Sequence, residues 1–286
     1  MCQLALNEDI GLLDLGIEDS ASENRHSRDI TAELIEPDTQ ATALLITRES
    51  GVLCGTEWVN TIFKILGGGV QINWLLKDGD YMVSEQTICE LKGNARQLLT
   101  GERSAMNFLQ SLSATATLTN QYVNKIANSN CQLLDTRKTI PGMRYGQKYA
   151  AKCGGGTNHR FGLSDAYLIK ENHIMACGGI KKALSKAIEM NPDKLLEIEV
   201  ENLEELKQAI EGKAQVIMLD NFTNTQIKQA IALRQETEWK PKFEASGNVN
   251  LDTLNDIAQT GVDYISVGAL TKDIKAIDLS MRITLI

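Results

Sequence analysis

Apolar residues recur at two different spacings along this chain. From about Glu102 onward, Ala105, Phe108, Leu109 and Leu112 fall at i, i+3, i+4 and i+7, which is one face of a long helix. Thr100, just upstream, is the expected N-cap. Before that helix the pattern is short and mixed. Residues 42–47 and 51–54 read as strands around a turn, and residues 57–66 as a helix stopped by Gly67-Gly68-Gly69. Residues 70–76 and 87–92 read as further strands, with a turn at Lys77-Asp78-Gly79-Asp80 between them. Residues 1–112 are therefore expected to form a small α+β domain.

Beyond the helix the rhythm changes. Strand candidates lie at residues 131–135, 166–169, 195–200, 216–219, 242–245 and 264–267. Helical segments at 180–189, 203–209, 225–233 and 251–258 alternate with the later ones. Such alternation predicts parallel strands with helices outside. Residues 113–272 are expected to form an α/β barrel, closed or nearly so, with an open doubly wound sheet as the alternative. Residues 273–286 follow the last strand without a barrel role, and are expected to return to the first domain.

Polar or glycine residues stand at the end of every strand candidate. The first ends in Arg137 and Lys138, the second in Lys170. The third carries Glu199 and Glu201, and the fourth ends in Asp220 and Asn221. The last two end in Ser246-Gly247-Asn248 and Gly268-Ala269. In βα barrels the C-terminal strand ends converge on one face, where sites are built. A carboxylate pair there suits Mg²⁺ or sugar hydroxyls, and glycine loops after the last strands suit a phosphate. Glu201 is expected to be a solvated strand edge.

The stretch 134–174 adds a concentration of cations. Arg137, Lys138, Arg144, Lys148, Lys152, His159, Arg160 and Lys170 fall within it, around the run Gly154-Gly155-Gly156. Arginine pairs with carboxylates in a bidentate way, and lysine supplies a point charge. The chain as a whole carries a net charge of −8. A local positive field on an acidic body suits a small polyanion rather than a nucleic acid or a membrane surface. The glycine run lacks a GK[ST] ending, so it reads as a turn that lets His159 and Arg160 fold over the site. His173 reads as a support for Lys170, and His26 is open to either reading.

The 6 cysteines include no CxxC pair, which argues against a structural zinc site. Cys153 and Cys177 read as inert. The first residues, MCQLALNEDIG, lack a signal-peptide pattern, and the expected compartment is the cytoplasm with reduced thiols.

Seven segments together carry a family resemblance: GERSAMNFLQ, DTRKTIPGMR, KYAAKCGGGTNHRFGLSDAYLIKENHI, EIEVEN, IMLDNF, EASGNV and YISVGALT. The chain resembles the quinolinate phosphoribosyltransferases from about Asp29-Ile30-Thr31 to its end. The resemblance implies a pentosyltransferase that joins quinolinate to 5-phosphoribosyl-1-pyrophosphate and loses CO₂. The products are nicotinate mononucleotide and pyrophosphate, on the de novo route to NAD, with Mg²⁺ required. It implies an incomplete barrel beside a small N-terminal sandwich domain, in a homodimer or a multiple of dimers with shared sites.

Carried over by motif, Arg103 would reach the neighbouring subunit's site, and Arg137, His159, Arg160 and Lys170 would bind the quinolinate carboxylates. Lys138 would contact the phosphoribosyl donor. Glu199 and Asp220 would bind ribose hydroxyls or the metal, and Ser246, Gly247, Asn248, Gly268 and Ala269 the 5′-phosphate. Lys138, Lys170, Glu199 and Asp220 are the candidate catalytic residues. Two positions depart from the family: Arg28 and Asn248 stand where glycine is common. Two readings compete: a relative of the same fold, acting on another base or associated with molybdenum transport, against which the cation set Arg103, Arg137, His159, Arg160 and Lys170 favours a dicarboxylate; and a non-catalytic binder of phosphosugars or other anions, for which an anion-repelling carboxylate pair would be an odd choice.

Overall fold

The computed structural model describes residues 1–11 and 29–286, and His26 and Arg28 lie outside the described residues. The chain divides into two compact units. One comprises Met1–Thr117, Tyr145–Gly154 and Ile274–Ile286; the other comprises Leu118–Arg144 and Gly155–Asp273.

The first unit is built on strands β1 (Gln40–Thr47), β3 (Gln71–Trp74), β5 (Thr87–Asn94) and β12 (Leu279–Leu285). They form an antiparallel sheet in the order β12-β1-β5-β3. The C-terminal segment thus returns as an edge strand, paired with β1 from Ala41↔Leu285 to Thr47↔Leu279. Strands β2 (Gly51–Val52) and β4 (Tyr81–Met82) make a separate two-stranded ladder. Helices α1 (Cys2–Asp9), α2 (Thr56–Ile65) and α4 (Arg144–Cys153) belong to the same unit.

The long helix α3 runs Ala95–Lys125, so it starts well before the expected cap at Thr100. The true cap is Asn94, whose Oδ1 accepts the N–H groups of Arg96 and Gln97. Thr100 instead donates its hydroxyl to Asp29 at 3.0 Å. Gly101 misled the reading because glycine is a poor helix former. It is required here, since a Cβ would lie 2.6 Å from the Phe63 ring of α2. The expected face is correct: Ala105, Phe108, Leu109 and Leu112 are all buried.

Helix α4 was not expected. Its buried positions are Gly146, Gln147, Lys148, Ala150 and Ala151, small or polar residues that give no apolar stripe. Gly146 permits close packing, because a Cβ there would sit 3.0 Å from Leu112 and 3.4 Å from Trp58. Lys148, counted among the anion-directed cations, is buried within this unit.

The second unit holds a 6-stranded sheet. Its strands are β6 (Gln132–Leu134), β7 (Ala166–Ile169), β8 (Leu195–Val200), β9 (Val216–Asp220), β10 (Lys242–Ser246) and β11 (Tyr264–Ser266). Every pairing is parallel, in the order β6-β11-β10-β9-β8-β7. Neighbours follow chain order, and the last strand returns to pair with the first. A doubly wound sheet would reverse order at a switch point, so the alternative is excluded and the sheet is a barrel. It is incomplete beside β6, where the described residues show only an isolated bridge, Leu134↔Thr157.

Helices α5 (Glu171–Cys177), α6 (Ile180–Met190), α7 (Leu203–Glu211), α8 (Asn224–Glu236), α9 (Leu254–Ala258) and α10 (Ala269–Lys272) follow the strands. Asn202 caps α7 by accepting the N–H groups of Glu204 and Glu205, and Thr223 caps α8 through Gln226. Ile198, Ile217, Leu219, Phe243 and Ile265 of the strands pack with Leu184, Leu206 and Ala230 of the helices in one core. No helix among the described residues is long and apolar enough to cross a membrane.

Candidate active site

The parallel strands all run the same way, so their C-terminal residues are delivered to one end of the barrel. Arg137 and Lys138 follow β6, Lys170 follows β7, and Glu199 lies near the end of β8. Asp220 and Ser246 are the last residues of β9 and β10, paired in register. Gly268 and Ala269 lead from β11 into α10.

Two guanidinium groups dominate the cationic side. The Arg160 guanidinium donates from Nη1 to the carbonyl of Ala166 at 3.2 Å. Among the described residues, the Nε atoms of both Arg137 and Arg160 are buried without a hydrogen-bond partner. Burial weakens the hold of Arg160 on its proton, and the charge of Arg137 adds to this. Two neighbouring cations with orphaned buried donors are costly unless an anion lies against them. Glu197 and Asp165 offset part of the Arg160 charge, and a planar dicarboxylate would match what remains on the two guanidinium groups.

Around them the loop is held by carboxylates that sequence reasoning missed. Buried Asp135 accepts the His159 N–H at 2.9 Å and the Asn158 side-chain amide. Asp165 accepts the N–H groups of Phe161 and Gly162 at 2.6 and 3.0 Å. Burial alone would raise its pKa, but those bonds outweigh it and hold the carboxyl below its usual range. Arg144, counted among the anion-directed cations, serves structure: it donates to Thr139 Oγ1 and to the carbonyls of Phe161 and Arg137.

Beneath this loop lies a buried ionic cluster. His159 Nε2 is 3.0 Å from Glu197 and 3.4 Å from Glu244. Glu197 stands on β8 two residues before Glu199, so both face inward, one layer apart. Burial pushes Glu197 up to about 7, and repulsion from Glu244 adds to this while His159 opposes it. Burial disfavours the His159 cation, but the two carboxylates outweigh it and raise the imidazole to about 10. The Arg160 N–H aimed at Nδ1, at 2.7 Å, pulls the other way. Protonation of Nδ1 therefore requires that N–H to turn away, a local rearrangement that the carboxylates of Glu197 and Glu244 favour.

Because the folded-state pKa of His159 is raised, its stabilisation is complete below the unfolded value near 6.5. It is lost as pH climbs through about 10. The Tm deficit of His159→Gln relative to the parent is therefore expected to be largest near pH 6 and to shrink towards pH 10. Differential scanning calorimetry across that range tests it; a deficit independent of pH would refute the charged assignment.

On the acidic side, Lys170 Nζ pairs with Glu199 at 2.5 Å. His173 Nδ1 accepts the Lys170 N–H at 3.0 Å, fixing the start of α5. Glu201 is exposed beyond the strand, as expected. Asp220 accepts from Asn221 Nδ2 at 2.8 Å. Glu199 and Asp220 offer the oxygen donors Mg²⁺ takes, but each already has a partner. Among the described residues neither joins a group of three candidate ligands. Such a set fits an ion held largely by substrate phosphates with one or two carboxylates.

The glycine-rich end is tightly defined. Gly247 has φ +98°, and a Cβ there would lie 2.1 Å from Asn221 Oδ1. Asn221 and Asn248 also take positive φ, at 54° and 53°, and their side chains bond at 3.3 Å. Gly268 lets Lys138 lie across it, since a Cβ would be 2.9 Å from Lys138 Cδ. Thr271, not foreseen, donates its hydroxyl to the Lys138 carbonyl at 2.8 Å. Arg103 is exposed on α3 of the first unit.

Comparison with known proteins points one way. The sequence pattern of the quinolinate phosphoribosyl transferase C-terminal domain matches residues 115–282, and that of the N-terminal domain residues 29–113. The chain is similar to the chloroplastic nicotinate-nucleotide pyrophosphorylase [carboxylating] of Arabidopsis thaliana, at 37% identity over 98% of this chain and 81% of that one. It is 35% identical to the Mycobacterium leprae protein of that name, over 90% and 92% of the two chains. The structure of the nicotinate-nucleotide pyrophosphorylase from Francisella tularensis superposes with a TM-score of 0.88 at 47% identity, covering 99% and 94% of the two chains.

Proposed function

This chain belongs to the quinolinate phosphoribosyltransferase family, and from that premise we infer that it transfers the phosphoribosyl group of 5-phosphoribosyl-1-pyrophosphate to quinolinate with loss of CO₂. The products are nicotinate mononucleotide and pyrophosphate, in NAD biosynthesis. The observation that supports the substrate assignment is the pair of neighbouring guanidinium groups Arg137 and Arg160, two like charges that act on one another between β6 and β7.

The chemistry has two parts. The C1–pyrophosphate bond breaks with an oxocarbenium-like ribosyl centre, and the pyridine nitrogen bonds to C1. The nitrogen becomes cationic, the adjacent 2-carboxylate leaves as CO₂, and the electron pair left at C2 takes one proton. No covalent nucleophile from the protein is needed. Arg137, Arg160 and Lys170 orient the diacid, and His159, engaged by Glu197, Glu244 and the Arg160 N–H, supports the loop that carries Arg160. Lys138 contacts the donor, the Ser246–Asn248 turn and Gly268-Ala269 hold its 5′-phosphate, and Glu199 and Asp220 hold the ribose hydroxyls, their charge favouring the ribosyl cation. Holding reactants in line is worth on the order of 7–11 kcal/mol. Glu199 and Asp220 would also hold Mg²⁺, which when bound neutralises charge on the departing pyrophosphate.

Incubation with quinolinate, the donor and Mg²⁺ is expected to release nicotinate mononucleotide and CO₂ in equal amounts. Nicotinate in place of quinolinate is expected to be inert. Turnover of nicotinate at a comparable rate would overturn the assignment.

Arg103, exposed on α3, is assigned to the site of a second subunit in a homodimer. Mixing Arg103→Ala with Lys170→Ala is then expected to restore partial activity, because hybrid dimers contain one intact site. No recovery in a verified hybrid would show that the sites are not shared. The 6 free cysteines suit the reducing cytoplasm.

A further inference from the structure

Cys54, Cys153 and Asp78 meet within the first unit, on residues the reaction above does not use. Both thiols are free, and the two sulfurs and the nearest Asp78 oxygen all lie within 4.8 Å of one another. The two cysteines differ in freedom. Cys54 is fully buried, and its backbone is pinned on both sides by Ser113. Its N–H donates to Ser113 Oγ at 2.9 Å, and that hydroxyl donates back to the Cys54 carbonyl at 3.2 Å. Cys153 is partly exposed and is the last residue of α4. Gly154, Gly155 and Gly156 follow it, with Gly155 at φ +90°. A helix end followed by glycines yields readily, so Cys153 is the sulfur that can move.

Asp78 is already committed. Its Oδ1 accepts the N–H groups of Gly55 and Thr56 at the start of α2, and its Oδ2 accepts the Tyr149 hydroxyl at 2.9 Å. That leaves the sulfurs as a reactive pair rather than two members of a metal-ligand set. The contact with Cys54 lowers the Cys153 pKa despite burial, and Tyr149 adds to this. The same contact, with burial, raises that of Cys54. Thiolate character therefore collects on the sulfur that solvent can reach.

We propose that Cys54 and Cys153 are an oxidisable thiol pair, a modification site that small hydroperoxides convert to a reversible disulfide. The Cys153 thiolate attacks the peroxide, breaking its O–O bond and giving a sulfenic acid and hydroxide. The Cys54 thiol then displaces water from the Cys153 sulfur, and the S–S bond forms. In sum, two thiols and one hydrogen peroxide become a disulfide and two waters. Closure needs an S–S separation of about 2.05 Å, which a rotamer change at Cys153 and a shift of the end of α4 would supply.

The test treats the full-length enzyme with a small excess of hydrogen peroxide and maps its peptides under non-reducing conditions. A Cys54–Cys153 linked peptide is expected, with loss of two titratable thiols, a higher Tm, and reversal of all three by dithiothreitol. Cys54→Ser is expected to stop at a sulfenic acid on Cys153, captured by a dimedone-type reagent without any cross-link. Oxidation of the parent Cys153 to sulfinic acid without the linked peptide would overturn the proposal, as would a disulfide formed through Cys177 instead. Stoichiometric Zn²⁺ retained by the parent and lost from Cys54→Ser would also overturn it, by assigning the cluster to a metal.

Discussion

Arg160→Ala is expected to raise KM for quinolinate by about 10²- to 10³-fold while KM for the phosphoribosyl donor changes less than about threefold. Truncating one member of a buried, hydrogen-bonded charge pair costs roughly 2–5 kcal/mol, and each 1.4 kcal/mol is tenfold in affinity. Among the described residues the buried Nε of Arg160 has no hydrogen-bond partner, so the protein gains little to compensate. Arg137→Ala is expected to behave alike. Arg160→Lys should recover little, because a point charge cannot reproduce the planar fork. The hydrogen bond to the Ala166 carbonyl would be lost as well. Steady-state kinetics with each substrate varied in turn provides the check. Equal losses for both substrates would mean that the guanidinium pair does not mark the diacid subsite.

The second large effect is expected at Gly247. Gly247→Ala should lower kcat/KM for the donor by about 10²-fold or more, and should lower Tm as well. Strain at a positive-φ position costs about 1–3 kcal/mol. The collision adds to that, since the new Cβ would meet Asn221 at 2.1 Å from Oδ1 and 3.2 Å from the backbone nitrogen. Asn221 cannot retreat freely, because its N–H donates to the Ser246 carbonyl at 2.9 Å and its side chain bonds Asp220 and Asn248. One methyl group would thus disturb the ends of β9 and β10 together. Quinolinate affinity, measured by calorimetry without donor, should stay within about threefold of the parent. Asn248→Gly is the matched control: its φ of 53° is comfortable for glycine, so donor binding should be largely kept. Unchanged donor kinetics in Gly247→Ala would remove this turn from the phosphate subsite.

Much of this protein is legible in one dimension. Strand and helix spacings place the parallel strands to within a residue or two, because a strand buried on both faces is mostly apolar, even though β8 and β10 carry the buried Glu197 and Glu244. Polar strand ends mark the reactive face for the same reason: Lys170, Glu199 and Asp220 interrupt runs that would otherwise continue. The motif block around Arg137, His159 and Arg160 goes further and carries the family itself. Where the pattern fails, chemistry explains it. Helix α4 buries small and polar residues, so it shows no stripe. The start of α3 is disguised by Thr100 and Gly101, which its packing on Phe63 requires.

What the chain's order of residues determined is the set of elements, their parallel sense and the charges waiting at their ends. Only the folded molecule decided which of those charges meet. Glu197 looks like one more strand glutamate until the fold brings it to 3.0 Å from His159 Nε2, with Glu244 at 3.4 Å from the same nitrogen. Lys148 looks like a ligand-directed cation until α4 buries it. Local spacing encodes periodicity, which acts over a few residues. Pairing of buried charges depends on sheet register and barrel closure, which join residues that no local spacing relates.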